Sequence, residues 1–535
     1  MTSVRLNPLD SAWLFTESRA TPNHVGGLLQ FRLPEGAPRD YMRKMMAEFR
    51  GHREFTAPWN RRLKYAFNKN PVPVWIEDRN IDLEYHVRHA ALPWPGGERE
   101  LGELIGRLQS TPLDLSRPPW ECTLIEGLEG DRFALFIKMH HSLIDGVSGM
   151  KLLQGAMSPD REASRKLPPF WASGLRRSRR SGAETLLPTV ANAAALAVEA
   201  LRGQVQTVPQ LVVAFGKMLK GLGTGEGMIV PFTSPQSVLN GRVREKRRFA
   251  TQQFSMERLR SLAGAAECTL NDIVLAICGG ALRRFLEERG DLPAKSLTTG
   301  IPVSVRPADD DGSGNAITFI IATLGTDIAD ARERLAAIRE SVRHAKEHVQ
   351  SLPKQAMLQY TVLLMAPTIL TLLTGIGGRT RPMFNITISN VPGPDKPLFF
   401  RGAELVAIYP ASIVTHGQAL NITCESYAGA MNFGFTGCHA SLPSMQRLAV
   451  YAEEALAELE AAVRPTPGKA KRTRKAVVKA VTPAPAKAAR SSAAKATASK
   501  ATVLSARSAA KASPADAPKR ATAVKKRAAP APRTA

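Results

Sequence analysis

Cysteine is scarce in this chain, and its scarcity limits the covalent and metal chemistry open to the protein. Only five occur in 535 residues, and no two of them form a CxxC pair. They are Cys122, Cys268, Cys278, Cys424 and Cys438. An odd and scattered set is not typical of a disulfide framework or of a structural zinc site. We therefore expect a protein of a reducing compartment without a metal.

Several signals of common function classes are also missing. The first 15 residues have no uninterrupted apolar run and carry Asp10, so no secretory signal peptide is predicted. No GxSxG sequence is present, which removes the usual serine nucleophile of lipases. His344 and His348 stand four residues apart but do not form an HExxH zinc motif, and no glycine-rich phosphate loop is found. These absences favour a cytoplasmic protein whose chemistry does not use a nucleophilic serine, and they leave any phosphate-binding site unassigned.

Acidic residues are almost absent from the C-terminal part of the chain. The whole chain has a formal net charge of +25, and nineteen Lys and Arg against the single acid Asp516 give residues 464–535 a charge of +18. Only +7 remains for residues 1–463. This Ala, Lys, Pro, Thr and Ser-rich segment has almost no large apolar residues, so we predict a disordered basic tail. Such a tail would attract anionic membrane or lipid-droplet surfaces and also nucleic acid.

The remaining sequence divides by composition. Residues 158–237 contain RRSRR and then Ala, Leu and Val-rich helical stretches, which indicates a helical crossover. We therefore predict a first lobe at 1–157, the crossover at 158–237, a second lobe at 238–463 and the tail at 464–535. Short strand-like runs such as FALFIKM and LNITCESY alternate with helical patterns in both lobes, which predicts a mixed α/β layered fold.

Two helical segments can be assigned in more detail. Thr269 or Asn271 can cap a helix with an apolar stripe, and Gly290 lies just past its end. The apolar stretch 357–376 is long enough for a membrane span, but Pro367 and several Thr favour a buried or interfacial helix pair.

The string HHSLIDG at residues 140–146 carries the strongest chemical signal. It directly follows the strand-like run FALFIKM, and the chain turns at Asp145 and Gly146. A histidine at a strand end can project into a cleft, where imidazole can take a proton from an alcohol near neutral pH. His140 or His141 is therefore a candidate general base. Adjacent histidines on a strand point to opposite faces, which argues against both binding one metal ion.

The same string resembles the HHxxxDG motif of the chloramphenicol acetyltransferase-like, CoA-dependent acyltransferases and of peptide-synthesis condensation domains. Flanking segments at 7–31, 112–141, 269–293, 301–307 and 389–394 are similar to those of the bacterial wax ester synthase/diacylglycerol acyltransferases. The resemblance covers both predicted lobes to about residue 459. It implies two chloramphenicol acetyltransferase-like lobes and no cofactor beyond acyl-CoA, which is a substrate.

The resemblance also implies roles for individual residues. His141 would be the general base that deprotonates an acceptor hydroxyl for direct attack on the thioester, with His140 in support. Asp145, followed by Gly146, would hold the loop by pairing with an arginine, for which Arg306 is the candidate. The ND pair would brace the loop or assist the oxyanion, although helix capping explains at least one of its members. This pair is Asn271 and Asp272.

The implied reaction joins an acyl-CoA to diacylglycerol or to a long-chain alcohol, which makes triacylglycerol or wax ester. Such an enzyme is expected in the cytoplasm, peripherally associated with the inner membrane or lipid inclusions. Two alternatives remain open at this point. One is an HHxxxDG acyltransferase with a different acceptor, and the other is a scaffold that binds DNA or granules through the tail.

Overall fold

The computed structural model describes residues 3–6, 8–64, 73–144, 146–173, 229, 231–304, 317–351 and 364–464, apart from positions 366, 369 and 373. Asp145, Arg306, residues 465–535, most of the predicted crossover and half of the apolar stretch 357–376 lie outside these ranges.

Fifteen strands and ten α-helices have defined bounds within the described residues. The strands are β1 (Ser3–Arg5), β2 (His24–Arg32), β3 (Arg61–Leu63), β4 (Val74–Glu77), β5 (Val87–Ala91), β6 (Trp120–Leu128), β7 (Arg132–His140), β8 (Arg247–Ser255), β9 (Thr298–Ser304), β10 (Ile317–Thr323), β11 (Ile386–Val391), β12 (Phe399–Phe400), β13 (Ala403–Ala411), β14 (Leu420–Tyr427) and β15 (Ala430–Cys438). The helices are α1 (Pro8–Phe15), α2 (Tyr41–Gly51), α3 (Leu83–His86), α4 (Glu98–Ser110), α5 (Gly146–Gln154), α6 (Arg161–Lys166), α7 (Met256–Ala265), α8 (Leu270–Glu288), α9 (Ala331–Gln350) and α10 (Arg447–Val463). The mixed α/β layers predicted from the sequence are thereby confirmed.

Two six-stranded sheets and one small sheet organise these elements. The first sheet has the order β12-β13-β2-β7-β6-β5, and the second has the order β10-β9-β11-β14-β15-β8. The small sheet has the order β1-β4-β3. Strand β7 is central in the first sheet and almost wholly buried, as expected for an apolar strand covered on both faces. The run FALFIKM is therefore a strand, as the sequence predicts.

Strands β12 and β13 cross the boundary drawn from composition. They fall within the predicted second lobe at 238–463, yet β13 pairs antiparallel with β2 and completes the first sheet. The register places Ala411 opposite Gly26 at one end and Glu404 opposite Arg32 at the other. The sheet that carries the histidines is thus built from strands of both predicted lobes.

The beginning of the predicted crossover also packs on the first lobe. Trp171 is fully buried and stacks on Trp120, with ring centroids 5.9 Å apart. Ser158 forms an isolated bridge with Phe399. The described residues up to 173 therefore belong to the core beside the first sheet.

Helix α8 is the central helix beside the second sheet. Thr269 caps it, and Oδ2 of Asp272 accepts hydrogen bonds from the Thr269 backbone N (3.0 Å) and Oγ1 (2.7 Å). This reciprocal capping box satisfies donors at the helix start. Gly290 follows the helix end with a φ of +68°, a conformation that glycine adopts without strain. Thr269 is the cap, so one of the two predicted alternatives is confirmed.

The contact between α4 and β8 joins the two large sheets closely. A Cβ at Gly102 would approach Phe249 O to 2.8 Å, and one at Gly106 would approach Arg247 O to 2.9 Å. Glycine lets the helix backbone rest directly on the strand backbone. Arg247 N donates to Ser110 Oγ at 2.8 Å, which fixes the end of α4 to the start of β8.

Within the described ranges, no single helix combines the length and hydropathy of a membrane span. Helices α7 and α8 have the length and hydropathy of a span only when they are taken together, and the two helices are bent by 99° where they meet.

Candidate active site

The two adjacent histidines lie where β7 ends. His140 N donates to Pro119 O at 2.9 Å, and His141 N donates to Asn23 O at 2.9 Å. The chain then turns, with Leu143 N donating to His140 O at 2.9 Å. Residues that precede the neighbouring strands β6 and β2 therefore fix the backbone of both histidines. This is the strand-end position that the sequence predicts.

His140 is entirely buried, so its side chain cannot meet a substrate directly. Its Nδ1 lies 2.6 Å from Ser142 Oγ, and its Nε2 lies 3.4 Å from Glu17 Oε2. Ser142 N also donates to Nδ1 at 3.2 Å. Because both ring nitrogens have partners inside the protein, these contacts suit the supporting role that the resemblance implies.

His141 keeps part of its surface accessible. Its imidazole stacks on the indole of Trp13, with ring centroids 4.3 Å apart and the two planes inclined by 25°. Both residues are half-buried. Of the two adjacent histidines, His141 is therefore the one that can meet a bound molecule, which a general base requires.

Helix α1 and the turn after it hold this arrangement together. Asn23 Nδ2 donates to Trp13 O at 2.7 Å and to Thr16 Oγ1 at 2.9 Å. Asn23 N donates to Glu17 Oε2, the oxygen that also lies near His140. The reasoning from residue types missed the contributions of Trp13, Glu17 and Asn23. The available signal was the family-like segment 7–31, which contains all of them.

A buried basic group lies two residues before His140 on the same face of β7. Lys138 Nζ donates to Thr111 O at 2.7 Å and to Leu108 O at 3.1 Å, at the end of α4. It also lies 3.3 Å from Glu121 Oε2. Burial lowers the pKa of Lys138, and Glu121 opposes that shift. The ammonium thus joins β7 and β6 to the carbonyl end of α4.

His24 lies directly opposite His140 in the β2–β7 register and is fully buried. Its Nε2 is 3.0 Å from Gln109 O. Burial, reinforced by the charge of Lys138, holds the pKa of His24 well below its usual value. His24 is therefore a neutral structural histidine near neutral pH.

The other residues implied by the resemblance are placed as follows. Gly146 begins α5 and is exposed, and within the described chain no atom would lie within 4 Å of a Cβ added there. Asp272 makes the cap contacts with Thr269, and Asn271 occupies the first turn of α8. Bracing of the histidine loop by this pair stays a prediction. The proposed ion pair of Asp145 and Arg306 lies outside the described residues, so it also stays a prediction.

Metal chemistry has no visible support in the described portion. There, no group of three or more His, Cys, Asp or Glu side chains is arranged so that it could hold a metal ion. The arrangement can instead accept a proton at His141 while His140 and the α1 residues keep the base in place.

Comparison with known proteins places these features in a family. The family model for the wax ester synthase/diacylglycerol acyltransferase catalytic domain matches residues 6–274, and the model for the C-terminal domain matches residues 313–460. A Mycobacterium tuberculosis protein with the provisional name diacylglycerol O-acyltransferase is 43% identical over 490 residues, which covers 86% of this chain and 98% of the relative. The O-acyltransferase WSD of Acinetobacter baylyi is 38% identical over 460 residues, which covers 86% of this chain and 97% of the relative.

Solved structures agree. The wax ester synthase/diacylglycerol acyltransferase from Marinobacter aquaeolei VT8 superposes with a TM-score of 0.69 at 37% identity, covering 86% of this chain and 99% of that chain. The first condensation domain of the CDA synthetase shares the fold, with a TM-score of 0.51 at 17% identity, covering 86% of this chain and 97% of that chain.

The fold and the paired histidines thus define an acyltransferase of the HHxxxDG type. Within that class, the chain belongs to the wax ester synthase/diacylglycerol acyltransferase family and is an O-acyltransferase.

Proposed function

We propose that this enzyme transfers a fatty acyl group from acyl-CoA to the hydroxyl of diacylglycerol or of a long-chain alcohol, with His141 as the general base. The observation that carries the proposal is the difference between the two adjacent histidines. His140 is fully buried, whereas His141 is half-buried and fixed through Asn23 and Trp13. The names of the relatives supply the substrate classes.

The reaction is a single displacement. His141 accepts the hydroxyl proton as the acceptor oxygen attacks the thioester carbonyl, and a tetrahedral oxyanion forms. This attack forms the new ester C–O bond, and collapse of the oxyanion then restores the carbonyl and breaks the C–S bond. The proton held by the imidazolium passes to the departing CoA thiolate, which leaves as the thiol. The base is thus regenerated, and no covalent acyl-enzyme is needed.

The substrate classes can be tested with the purified full-length enzyme and labelled palmitoyl-CoA. Dioleoylglycerol and hexadecanol are supplied in parallel, with a long-chain amine as the control acceptor. We expect labelled triacylglycerol, wax ester or both, and little amide. Amide as the main product would replace the hydroxyl-acceptor proposal by the alternative of an HHxxxDG enzyme with another acceptor.

The base is tested by the matched variants His141→Ala and His140→Ala. Removal of a general base typically costs about 10²–10⁴-fold in rate, so His141→Ala should lose nearly all turnover while staying folded. His140→Ala should retain more turnover, because His140 acts through its neighbours. A folded His141→Ala enzyme with full activity would refute the mechanism.

We further propose that the basic tail, residues 464–535, brings the enzyme to anionic membrane or lipid-droplet surfaces. Its +18 charge supports this role, since each cation near an anionic leaflet contributes about 1 kcal/mol. The proposed location is therefore the cytoplasm, at the periphery of the inner membrane or of lipid inclusions. Nucleic acid is a second candidate partner of the tail, because its phosphates attract the same charges. The family assignment does not favour a purely scaffolding role for the whole chain.

A further inference from the structure

We propose that Trp13 is a positioning residue for His141. Its indole face sets the plane of the imidazole and stabilises that ring while it carries the substrate proton. The inference rests on the proposed role of His141 as the base, and the experiment below separates the two.

The ring geometry is the first observation. The centroid distance of 4.3 Å and the inclination of 25° describe a stacked pair, so one face of the imidazole is covered by the indole. Stacking leaves the edge of the imidazole uncovered by the indole, and the Nδ1 atom on that edge is buried. The π-face of tryptophan also attracts a cation placed over it. The pairing therefore favours the imidazolium that forms when His141 takes the substrate proton.

The second observation is that Trp13 is held in place by Asn23, the residue before β2 that also binds the backbone of His141. The Asn23 side chain donates to Trp13 O at 2.7 Å, while Asn23 O accepts the hydrogen bond from His141 N at 2.9 Å. One asparagine thus fixes the backbones of both stacked residues. The separation of the two rings is set by hydrogen bonds and does not depend on side-chain contact alone.

Apolar packing provides an independent connection. Leu14, the neighbour of Trp13, is fully buried in a small cluster with Leu63 and Trp75 of the small sheet. Leu143 of the HHSLIDG loop packs against the same cluster. Helix α1 and the histidine loop are therefore joined on two sides of the Trp13–His141 stack. A base held this way keeps the same ring orientation from one turnover to the next, as a general base must.

The test compares Trp13→Phe with Trp13→Leu in the full-length enzyme. Phenylalanine keeps an aromatic face, whereas leucine keeps apolar volume without one. We expect Trp13→Phe to retain kcat within about 3-fold and Trp13→Leu to lose about 10-fold. KM for palmitoyl-CoA and for the acceptor should change little in either variant. Unchanged thermal unfolding midpoints would show that both variants remain folded.

Repeating Trp13→Leu in a His141→Ala background identifies the route of the effect. If Trp13 acts through His141, the substitution has no further effect on the residual rate. A second 10-fold loss there, equal rates for the Phe and Leu variants, or a rise in KM without a fall in kcat would overturn the inference. A fully active His141→Ala enzyme would instead refute the proposed function, which is a separate result.

Discussion

Lys138 and Glu121 form an ion pair inside the first sheet. They stand directly opposite each other in the β6–β7 register, and Lys138 Nζ lies 3.3 Å from Glu121 Oε2. The two side chains are only 2% and 6% exposed. The Lys138 ammonium also donates to two backbone carbonyls at the end of α4, which gives it the hydrogen bonds that a buried charge requires. Lys138 stands two residues before His140, so the ion pair stabilises the strand that presents the histidines.

We expect Lys138→Met to lower the free energy of unfolding by roughly 3–5 kcal/mol, because among the described residues it leaves the buried Glu121 carboxylate paired only with the partly exposed Arg88. Denaturant unfolding would measure the loss. The double variant Lys138→Met/Glu121→Gln should lose less than the two single losses combined. Additive losses would show that the two charges do not interact.

The contact between Glu17 and His140 predicts a graded effect on turnover. Glu17→Gln keeps an oxygen for Asn23 N but removes the charge next to His140, whereas Glu17→Ala removes both interactions. We expect kcat to fall slightly in the Gln variant and about 5-fold or more in the Ala variant, since a lost hydrogen bond is worth about 1 kcal/mol. Equal kcat in all three enzymes would contradict the supporting role of Glu17.

Glu425 on β14 predicts a pH-dependent stability. Its carboxyl is buried, and neither oxygen has a hydrogen-bond partner within the described part of the chain. Burial raises its pKa to about 8. The folded protein therefore holds a proton that the unfolded chain, with a pKa of about 4.3, releases. Stability from this group is fully present below about pH 4 and is lost as the pH rises towards 8.

Glu425→Gln is the matched test, because glutamine has nearly the same shape and does not titrate. Each pKa unit corresponds to about 1.4 kcal/mol, so the variant should gain on the order of several kcal/mol over the native protein between pH 5 and pH 8. The comparison uses the difference in unfolding free energy at each pH, which removes the contribution of other groups. A constant difference across this range would show that Glu425 does not titrate there.

The loop partner of Asp145 stays a prediction from the resemblance. If Asp145 pairs with Arg306 in the interior, either neutral replacement, Asp145→Asn or Arg306→Gln, should destabilise the enzyme by roughly 3–5 kcal/mol. The double variant should cost less than the sum of the singles. Additive values in this double-mutant cycle would assign Asp145 another partner.

Removal of the tail should change surface binding without changing the chemistry. We expect an enzyme truncated after Val463 to keep its turnover on detergent-dispersed substrates, since the family models end at residue 460. Its binding to anionic vesicles and to DNA should fall strongly at low salt. Binding of the full-length enzyme should itself weaken steeply as salt is added. Loss of turnover after truncation, or unchanged vesicle binding, would contradict the tether.

Local patterns in the sequence predicted local structure well. The run LNITCESY coincides with β14, and FALFIKM lies within β7. Thr269 caps α8, because a hydroxyl three residues before a carboxylate satisfies the first backbone donors. The position of His140 and His141 at a strand end followed from the same kind of short-range reasoning.

Long-range partners could not be predicted in this way. Trp13 is separated from His141 by more than a hundred residues, and nothing in an aromatic side chain near the N-terminus specifies a histidine as its neighbour. Similarly, the local sequence of a strand such as β13 does not state which sheet the strand joins. Glu425 was missed because a lone acidic residue in a strand usually faces solvent, and only the packed structure reveals its burial.

The pairing of β13 with β2 makes the two halves of the enzyme inseparable. A polypeptide that ended before residue 399 would contain both histidines, yet β2 would then have a long unpaired edge rich in apolar residues. Such edges recruit other chains and lead to aggregation. The histidine half is therefore unsuited to exchange as a module between relatives. Hybrid enzymes of this family should take residues 399–411 from the same parent as β2, so that sheet closure and catalysis are inherited together.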